Sequence, residues 1–226
     1  MRINADFAKN ALVVPSPESW VHSPEHGVDR LMLDRIGDEV ARATSVVRYA
    51  AGSHFASHIH ARGEEFLVLE GVFSDESGHY PRGTYVRNPP GSSHAPYSEE
   101  GCRILVKLRQ FDSGDSRQVV IDTAQADGWR PQPDGASERL HLHQFGSECV
   151  AMLRVGAGQR LPVMADPGGV EIFLVTGSLR SDDRTLPVES WLRYAPGAEI
   201  DLRCTTDALL WIKSGHLAGA PDTAAI

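Results

Sequence analysis

Three histidines and one glutamate have the types and the spacing that a protein metal site requires. His58, His60 and Glu64 are separated by even numbers of positions, and His94 follows shortly after the turn at Pro89–Gly91. A β-strand directs every second side chain to the same face, so the first three can converge inside a barrel. Three imidazoles and one carboxylate suit zinc, iron, nickel, cobalt or manganese. The spacing therefore predicts one mononuclear metal site.

The segments that must position these residues are short, strand-like and separated by turn-forming residues. Runs rich in β-branched, leucine and aromatic residues occur at 43–49, 65–69, 85–88, 104–108, 150–155, 171–175, 191–194 and 209–213. Glycine and proline separate them at short intervals, and helical patterns are nearly absent. Short strands at this spacing are typical of barrels rather than of alternating strands and helices. We therefore expect an all-β protein.

The chain also repeats itself. Glu65 recurs as Glu171 and Arg87 as Arg193, in both cases 106 positions later. The glycines with the same offset are Gly52 with Gly158, Gly71 with Gly177, and Gly91 with Gly197. Only glycine reaches positive φ freely, so glycines at equivalent bends are expected in a repeated barrel. The repeat predicts two copies of one barrel.

The expected domain boundaries follow from this repeat. The first barrel spans 1–111, a polar segment over 112–139 serves as a linker, and the second barrel spans 140–226. At the positions of the four candidate ligands, the second copy has Met164, Asp166, Val170 and Ile200. One carboxylate among apolar residues does not make a metal site. We expect the second barrel to bind no metal and to serve packing and dimer formation.

The candidate ligands lie in two segments that resemble the two sequence motifs of the cupin family, G-x5-H-x-H-x3-E-x6-G and G-x5-P-x-G-x2-H. The matching residues are Gly52, His58, His60, Glu64, Gly71, Gly83, Pro89, Gly91 and His94. At ordinary residue frequencies, nine such matches do not arise by accident. The asparagine that usually closes the second motif is Ser98 here, at a position that is not a ligand in the family. The resemblance implies a bicupin, with two tandem double-stranded β-helix (jelly-roll) barrels.

The longer stretches 63–76, 80–94 and 101–107 are similar to the cupin domain of ChrR-type anti-sigma factors and their stand-alone relatives. In that family, a separate N-terminal helical zinc domain with a His and Cys-x-x-Cys signature carries the anti-sigma function. This chain has neither the length nor the cysteines for that domain, so we expect only the sensor-like half. The resemblance implies a zinc- or iron-binding cupin with a regulatory or sensing role in transcription.

Two classes of function remain open, of which a regulatory or sensing role is the first choice and a dioxygenase the alternative. In the first, the metal supports a sensing module whose partner surface changes with metal occupancy or oxidation, as the ChrR resemblance implies. In the second, the chain resembles cupin dioxygenases that use three histidines and one glutamate, and it acts on a small diketone or aromatic substrate. A purely structural role ranks last. We expect one metal ion per chain, with zinc preferred over iron, nickel, cobalt or manganese.

Composition excludes several other classes. The formal net charge is −8 and the 22 basic residues are scattered, which argues against direct nucleic-acid binding. No run approaches the roughly 18 apolar residues of a membrane span, and the start lacks a secretory signal. We expect a cytoplasmic protein whose three cysteines form no disulfide framework. A homodimer is expected because Leu67 and Leu69 face outward and need either the second barrel or another chain to cover them. A small molecule or a protein is expected as a further partner.

Other polar residues near the motifs have simpler interpretations. His54 is expected on the barrel rim rather than as a fifth ligand, and His141 and His143 on a surface strand. Cys102 is expected to be a buried and inert thiol rather than an oxidation sensor. Glu65 has the parity opposite to the ligands and should pair with a basic residue.

Overall fold

The computed structural model describes residues 1–217, and these residues form two compact units. The first unit comprises Met1–Ala5 and Ser16–Gln125. The second comprises Asp6–Pro15 and the described residues from Ala126 onward. A short N-terminal stretch of the chain therefore belongs to the unit that is otherwise formed by its C-terminal half.

Nearly all regular structure is β-strand. As far as Asp122 the strands are β1 (Arg2–Ile3), β2 (Ala11–Val13), β3 (Trp20–His22), β4 (Val28–Gly37), β5 (Ala41–Tyr49), β6 (Ser53–His54), β7 (His58–Ile59), β8 (Glu64–Asp75), β9 (Gly78–Pro81), β10 (Thr84–Asn88), β11 (Ser93–His94), β12 (Tyr97–Ser98), β13 (Cys102–Leu108) and β14 (Val119–Asp122). They continue with β15 (Trp129–Pro131), β16 (Ser137–Phe145), β17 (Glu148–Val155), β18 (Val170–Thr176), β19 (Leu179–Ser181), β20 (Arg184–Leu186), β21 (Trp191–Tyr194), β22 (Arg203–Cys204) and β23 (Ala208–Ser214). Within residues 1–217 the only helix is a 3₁₀ turn at Pro17–Ser19, and none could cross a membrane. The predicted all-β class is confirmed.

The main sheet of the first unit is antiparallel, with the strand order β1-β4-β5-β13-β8-β10-β14. Short strands pair outside this order, β7 with β11 and β6 with β12. Alternate residues of the central strands are buried in one apolar cluster, which includes Phe66, Val68, Val86, Ile104 and Val106. The inner face of β8 therefore continues from Glu64 into apolar residues, as its parity predicts.

The other face of the same strands carries a buried charge network. Arg87 Nη1 lies 3.2 Å from Glu65 Oε2, and Arg87 Nη2 donates to Asp115 at 2.6 Å. The Tyr85 hydroxyl donates to Glu65 at 2.7 Å, and the Arg87 guanidinium lies 4.0 Å from the centre of the Phe111 ring. Glu65 thus has the basic partner expected of it.

The second unit repeats the topology of the first. Its main sheet has the strand order β15-β16-β17-β23-β18-β21-β2, and a separate sheet has the order β20-β19-β22. The pairing register shifts at Leu69 in β8 and at Val175 in β18, so each unit has a β-bulge at the same place in the repeat. The bicupin organisation predicted from the repeated glycines is confirmed.

Each main sheet is completed by an edge strand from outside the central part of its barrel. β14 pairs with β10 in the first unit, and β2 pairs with β21 in the second. The span 112–139, expected to be a linker, contains β14, β15 and the first residues of β16. Edge pairing needs only an extended backbone with N–H and C=O groups to share, so a polar composition does not prevent it.

The bulge in β8 depends on Gly71. This residue has a φ of +70°, and a Cβ added to it would lie 2.1 Å from the backbone oxygen of Gly101. Gly177, directly after β18, is constrained in the same way, because its φ is +88° and an added Cβ would lie 2.3 Å from the backbone oxygen of Asp207. Only glycine meets both conditions. Two of the glycines that revealed the repeat are thus required by a close approach of two strands.

We expect Gly71→Ala to lower the free energy of unfolding by about 3 kcal/mol, because a left-handed backbone and a collision with a neighbouring strand both oppose the side chain. Gly52→Ala is the matched control, since Gly52 has a φ of +73° but no atom within 4 Å of an added Cβ. That variant should lose only about 1 kcal/mol. Urea denaturation measures both losses, and equal losses would show that the close approach is unimportant.

Candidate metal centre

The four predicted ligands lie at or next to the ends of strands. His58 begins β7, His60 follows that strand, Glu64 begins β8 and His94 ends β11. β7 and β11 are antiparallel partners, with His94 directly opposite His58. The backbone N–H of His60 donates to the carbonyl of Ser92 at 2.8 Å, which extends the pairing. The two motif segments are therefore adjacent in space.

The side chains of these four residues converge on one point. One potential donor atom of each lies within 4.8 Å of those of the others. Glu64 Oε2 is 3.5 Å from His60 Nε2 and 3.6 Å from His94 Nε2. The ring centroid of His58 lies 5.1 Å from that of His60 and 4.9 Å from that of His94. Atoms that bind one ion at about 2 Å lie roughly 3 to 4 Å apart, so the arrangement has the dimensions of a metal site.

Two of the imidazoles have a buried nitrogen that no described residue satisfies. Nε2 of His60 and Nε2 of His94 are buried and accept or donate no hydrogen bond within residues 1–217, and both face the Glu64 carboxylate. An unpaired buried polar atom costs roughly 1–3 kcal/mol. A divalent cation at this point would satisfy both nitrogens and the carboxylate. The residues present therefore fit a metal ion.

The opposite nitrogen of each imidazole is held by a neighbouring oxygen. The three contacts are His94 Nδ1 with Asp75 Oδ2 at 3.1 Å, His60 Nδ1 with Ser92 Oγ at 3.1 Å, and His58 Nδ1 with the Ala56 carbonyl at 3.2 Å. A carboxylate and a carbonyl can only accept, so His94 and His58 carry their proton on Nδ1 in these contacts. Their Nε2 lone pairs are then available for a metal.

Three side chains that orient this group were missed by the sequence analysis, namely Asp75, Asn88 and Ser92. Asn88 donates to Glu64 Oε2 at 3.3 Å, and its position within the second motif, directly before Pro89, was a usable signal. Asp75 has the parity that would place it on the outer face of a regular strand, but the bulge at Leu69 reverses the parity of β8 beyond it. Gly71 was the only indication of that bulge in the sequence.

Burial favours the metal-binding form of one candidate ligand, His60. His60 is 7% exposed and His94 is 3% exposed, whereas His58 is exposed. Burial lowers the pKa of His60, and this effect outweighs the opposing influence of the Glu64 carboxylate. Neutral imidazole is the form that coordinates a metal.

A cavity of about 490 Å³ lies beside the group. His58, His60 and Glu64 line it, together with apolar and aromatic side chains from β5 and the following loop, including Tyr49 and Phe55. Its volume falls in the range of small-molecule sites, about 300–1,000 Å³. The candidate ligands are therefore accessible to a molecule larger than water.

The second unit has no such group at the equivalent positions. Val170 and Ile200 are 1% and 7% exposed and belong to an apolar core cluster, while Met164 is 85% exposed. Asp166 accepts the backbone N–H of Gly168 at 2.7 Å. Apolar packing replaces two of the four ligands.

The other residues singled out in the sequence lie apart from the group. His54 is exposed and stacks on Tyr97, with 5.3 Å between ring centroids. Cys102 is 5% exposed, which confirms the expected burial, and this burial raises its pKa to about 11. His141 is exposed, but His143 is 1% exposed, so the expectation that both lie on the surface is corrected. The register of β16 shifts between these two histidines, which places them on different faces.

Comparison with known families agrees with this duplicated arrangement. The family model described as the ChrR Cupin-like domain matches residues 8–112 and again residues 116–218. The chain belongs to the ChrR Cupin-like domain family. The resemblance to ChrR-type cupins is thereby confirmed, and it extends to both copies in this ChrR cupin-like protein. No curated protein matches the sequence.

Solved structures with a similar fold include three that cover most of this ChrR cupin-like chain. The pirin YhhW of Escherichia coli in complex with nickel(II) has a TM-score of 0.64 and 16% identity, over 90% of this chain and 98% of that one. Streptomyces albus HEPD with 2-hydroxyethylphosphonate and Fe(II) has a TM-score of 0.65 and 10% identity, over 100% and 80% of the two chains. Protein Ylba of Escherichia coli has a TM-score of 0.65 and 12% identity, over 93% and 92%. At these identities the similarity shows the fold alone.

Proposed function

We propose that His58, His60, Glu64 and His94 hold one divalent transition-metal ion per chain. The proposal is supported by the two unpaired buried imidazole nitrogens and by the acceptors that orient His58 and His94. Structures of similar fold contain nickel(II) or Fe(II). Ligand type does not select one ion. Zinc and ferrous iron are the first candidates because the ChrR resemblance implies one of these two metals. Such an ion would supply polarisation of a substrate oxygen or, as ferrous iron, reaction with O2.

The function that the geometry supports best is that of a metal-dependent enzyme of the dioxygenase type acting on a small molecule. The cavity beside the ligands carries this proposal, because a purely structural ion needs no space for a ligand next to it. The exposed His58 and the buried His60 and Glu64 all contribute to its wall. Burial raises the pKa of Tyr49 well above its usual value, so its hydroxyl stays a neutral hydrogen-bond donor at this wall.

A regulatory or sensing role is the second candidate. It is favoured by the family match, which covers both barrels and names the ChrR cupin-like domain. In such a role, a zinc ion would stabilise the first barrel, and its loss would alter a surface that a protein partner binds. This role requires a partner but no turnover.

The homodimer and the cytoplasmic location stay predictions. Leu67 and Leu69, from which the dimer was inferred, are 1% and 8% exposed in the single chain. They therefore do not offer an apolar surface to a second copy, and any dimer must use other residues.

We expect purified protein to bind one equivalent of zinc or iron and His60→Ala to bind none, because that variant removes a buried ligand. Asp166→Ala is the control, because Asp166 occupies the position of His60 in the second unit, and this variant should keep the full equivalent. Elemental analysis measures both, together with the thermal denaturation midpoint, which should fall only for His60→Ala. Two equivalents in the wild type, or metal loss in the Asp166 variant, would contradict the assignment.

We expect Asp75→Asn to weaken zinc affinity by about 10- to 100-fold, because the acceptor that orients His94 loses its charge. Glu70→Gln is the control on the same strand, since Glu70 pairs with Arg103 at 2.7 Å at the surface. Competition with a chromophoric chelator measures both affinities. A similar loss in the two variants would mean that Asp75 does not act through His94.

Catalysis and sensing are separated by an oxygen-uptake assay on the iron-loaded protein. We expect O2 consumption over many turnovers with a small diketone or aromatic substrate, and its loss in His58→Ala. Pull-down from the native cell extract, with and without metal, tests the alternative. Absence of turnover together with a partner that binds only the metal-loaded protein would establish the regulatory role.

A further inference from the structure

Three arginines line the cavity that contains the candidate metal ligands, namely Arg30 and Arg35 on one strand and Arg109 just after β13. Arg30 and Arg35, both on β4, line the same cavity as three of the four ligands. Residues five positions apart lie on opposite faces of a regular strand. The register of β4 shifts between Met32 and Asp34, and this bulge allows both arginines to face the cavity.

These two guanidinium groups have little compensating charge beside them. Arg30 forms no ion pair or hydrogen bond through its side chain within residues 1–217. Arg35 is 6% exposed, and its guanidinium donates to the backbone carbonyl of Asp38. Burial lowers the pKa of Arg35 and the charge of Arg30 lowers it further, while Glu39 and Asp38 act in the opposite direction. Glu39 and Glu25, which also line the cavity, are both exposed. A buried positive charge of this kind is stabilised by an anion.

The strand beside the arginines leaves room for such an anion. Ala41, Ala43 and Ser45 of β5 line the cavity with small side chains, and Ala43 lies directly opposite Arg35 in the sheet register. A guanidinium binds a carboxylate through two parallel hydrogen bonds. This end of the cavity therefore offers charge, donors and space together.

The second unit shows what the same position looks like without this arrangement. Arg139 of β16 occupies the register position of Arg30, and it donates to Cys149 Sγ at 3.4 Å. Gln144 occupies the position of Arg35. The arginine pair thus occurs at this position in the unit that has the metal-type ligands and is absent from the described part of the other.

We propose that Arg30 and Arg35 bind the carboxylate of a small organic acid, whose other end reaches the group of three histidines and one glutamate. The anion-binding part of this proposal depends only on the residues that line the cavity. Contact between the bound acid and a metal ion depends on the proposed function. The substrate class is then a small acid rather than a neutral diketone.

The experiment compares three probes with the same ring, namely benzoate, benzamide and phenylphosphonate, by calorimetric titration of the full chain in its metal-free and zinc-loaded forms. We expect wild type to bind benzoate at least about tenfold more tightly than benzamide, because only the anion pairs with the arginines. Arg30→Gln should weaken benzoate binding by about tenfold or more, and Arg30→Lys should restore part of it. Arg139→Gln is the matched control and should bind benzoate like wild type.

Equal affinity for benzoate and benzamide, or equal losses in Arg30→Gln and Arg139→Gln, would overturn the proposal. Phenylphosphonate binding in preference to benzoate would overturn the carboxylate assignment. Zinc and iron uptake measured on the same protein separates this proposal from the metal function. Arg30-dependent benzoate binding by protein that takes up neither zinc nor iron would support the anion site and refute the metal centre. Zinc uptake without a preference for benzoate would support the metal centre and overturn the anion site.

Discussion

The close approach of Gly71 to the backbone of Gly101 is the constraint on which the centre depends. It allows the bulge at Leu69, and the bulge reverses which residues of β8 face the barrel interior. Glu64 faces inward before the bulge and Asp75 faces inward after it, so one strand supplies both a candidate ligand and the acceptor for His94. Without the bulge, the Asp75 carboxylate would lie on the other face, and the His94 tautomer would have no fixed partner.

The register of β8 is fixed from its other face. Glu65 is held by Arg87 and Tyr85, and Arg87 is held in turn by Asp115. A slip of one residue would exchange the positions of Glu64 and Glu65. It would also separate a buried guanidinium from its carboxylates, a loss of about 3–5 kcal/mol when one partner of such a pair is removed. The charge network therefore positions the centre although it does not touch it.

The sequence predicts those parts of the structure that follow from regular strand geometry. The parity of His58, His60 and Glu64 and the turn before His94 were enough to predict that the four side chains converge. Where a strand is irregular, parity fails, as it does at Asp75. The pairing of β2 with the second sheet could not be predicted from the sequence either, because the pairing of an edge strand depends on tertiary contacts rather than on its own side chains. The same limit applies to Arg30 and Arg35, whose common face depends on a bulge that no glycine marks.

The two units show how one backbone can carry a site or a core. Both have the same strand order and the same bulge, so the difference lies in the side chains. Val170 and Ile200 pack into an apolar cluster where the first unit has Glu64 and His94. Buried imidazoles with unpaired nitrogens are unfavourable in a barrel that holds no ion, whereas apolar residues at the same positions are stabilising. The first barrel should therefore gain stability from an ion that satisfies those nitrogens. The stability of the second barrel should not change when an ion is added, because its apolar core is already complete.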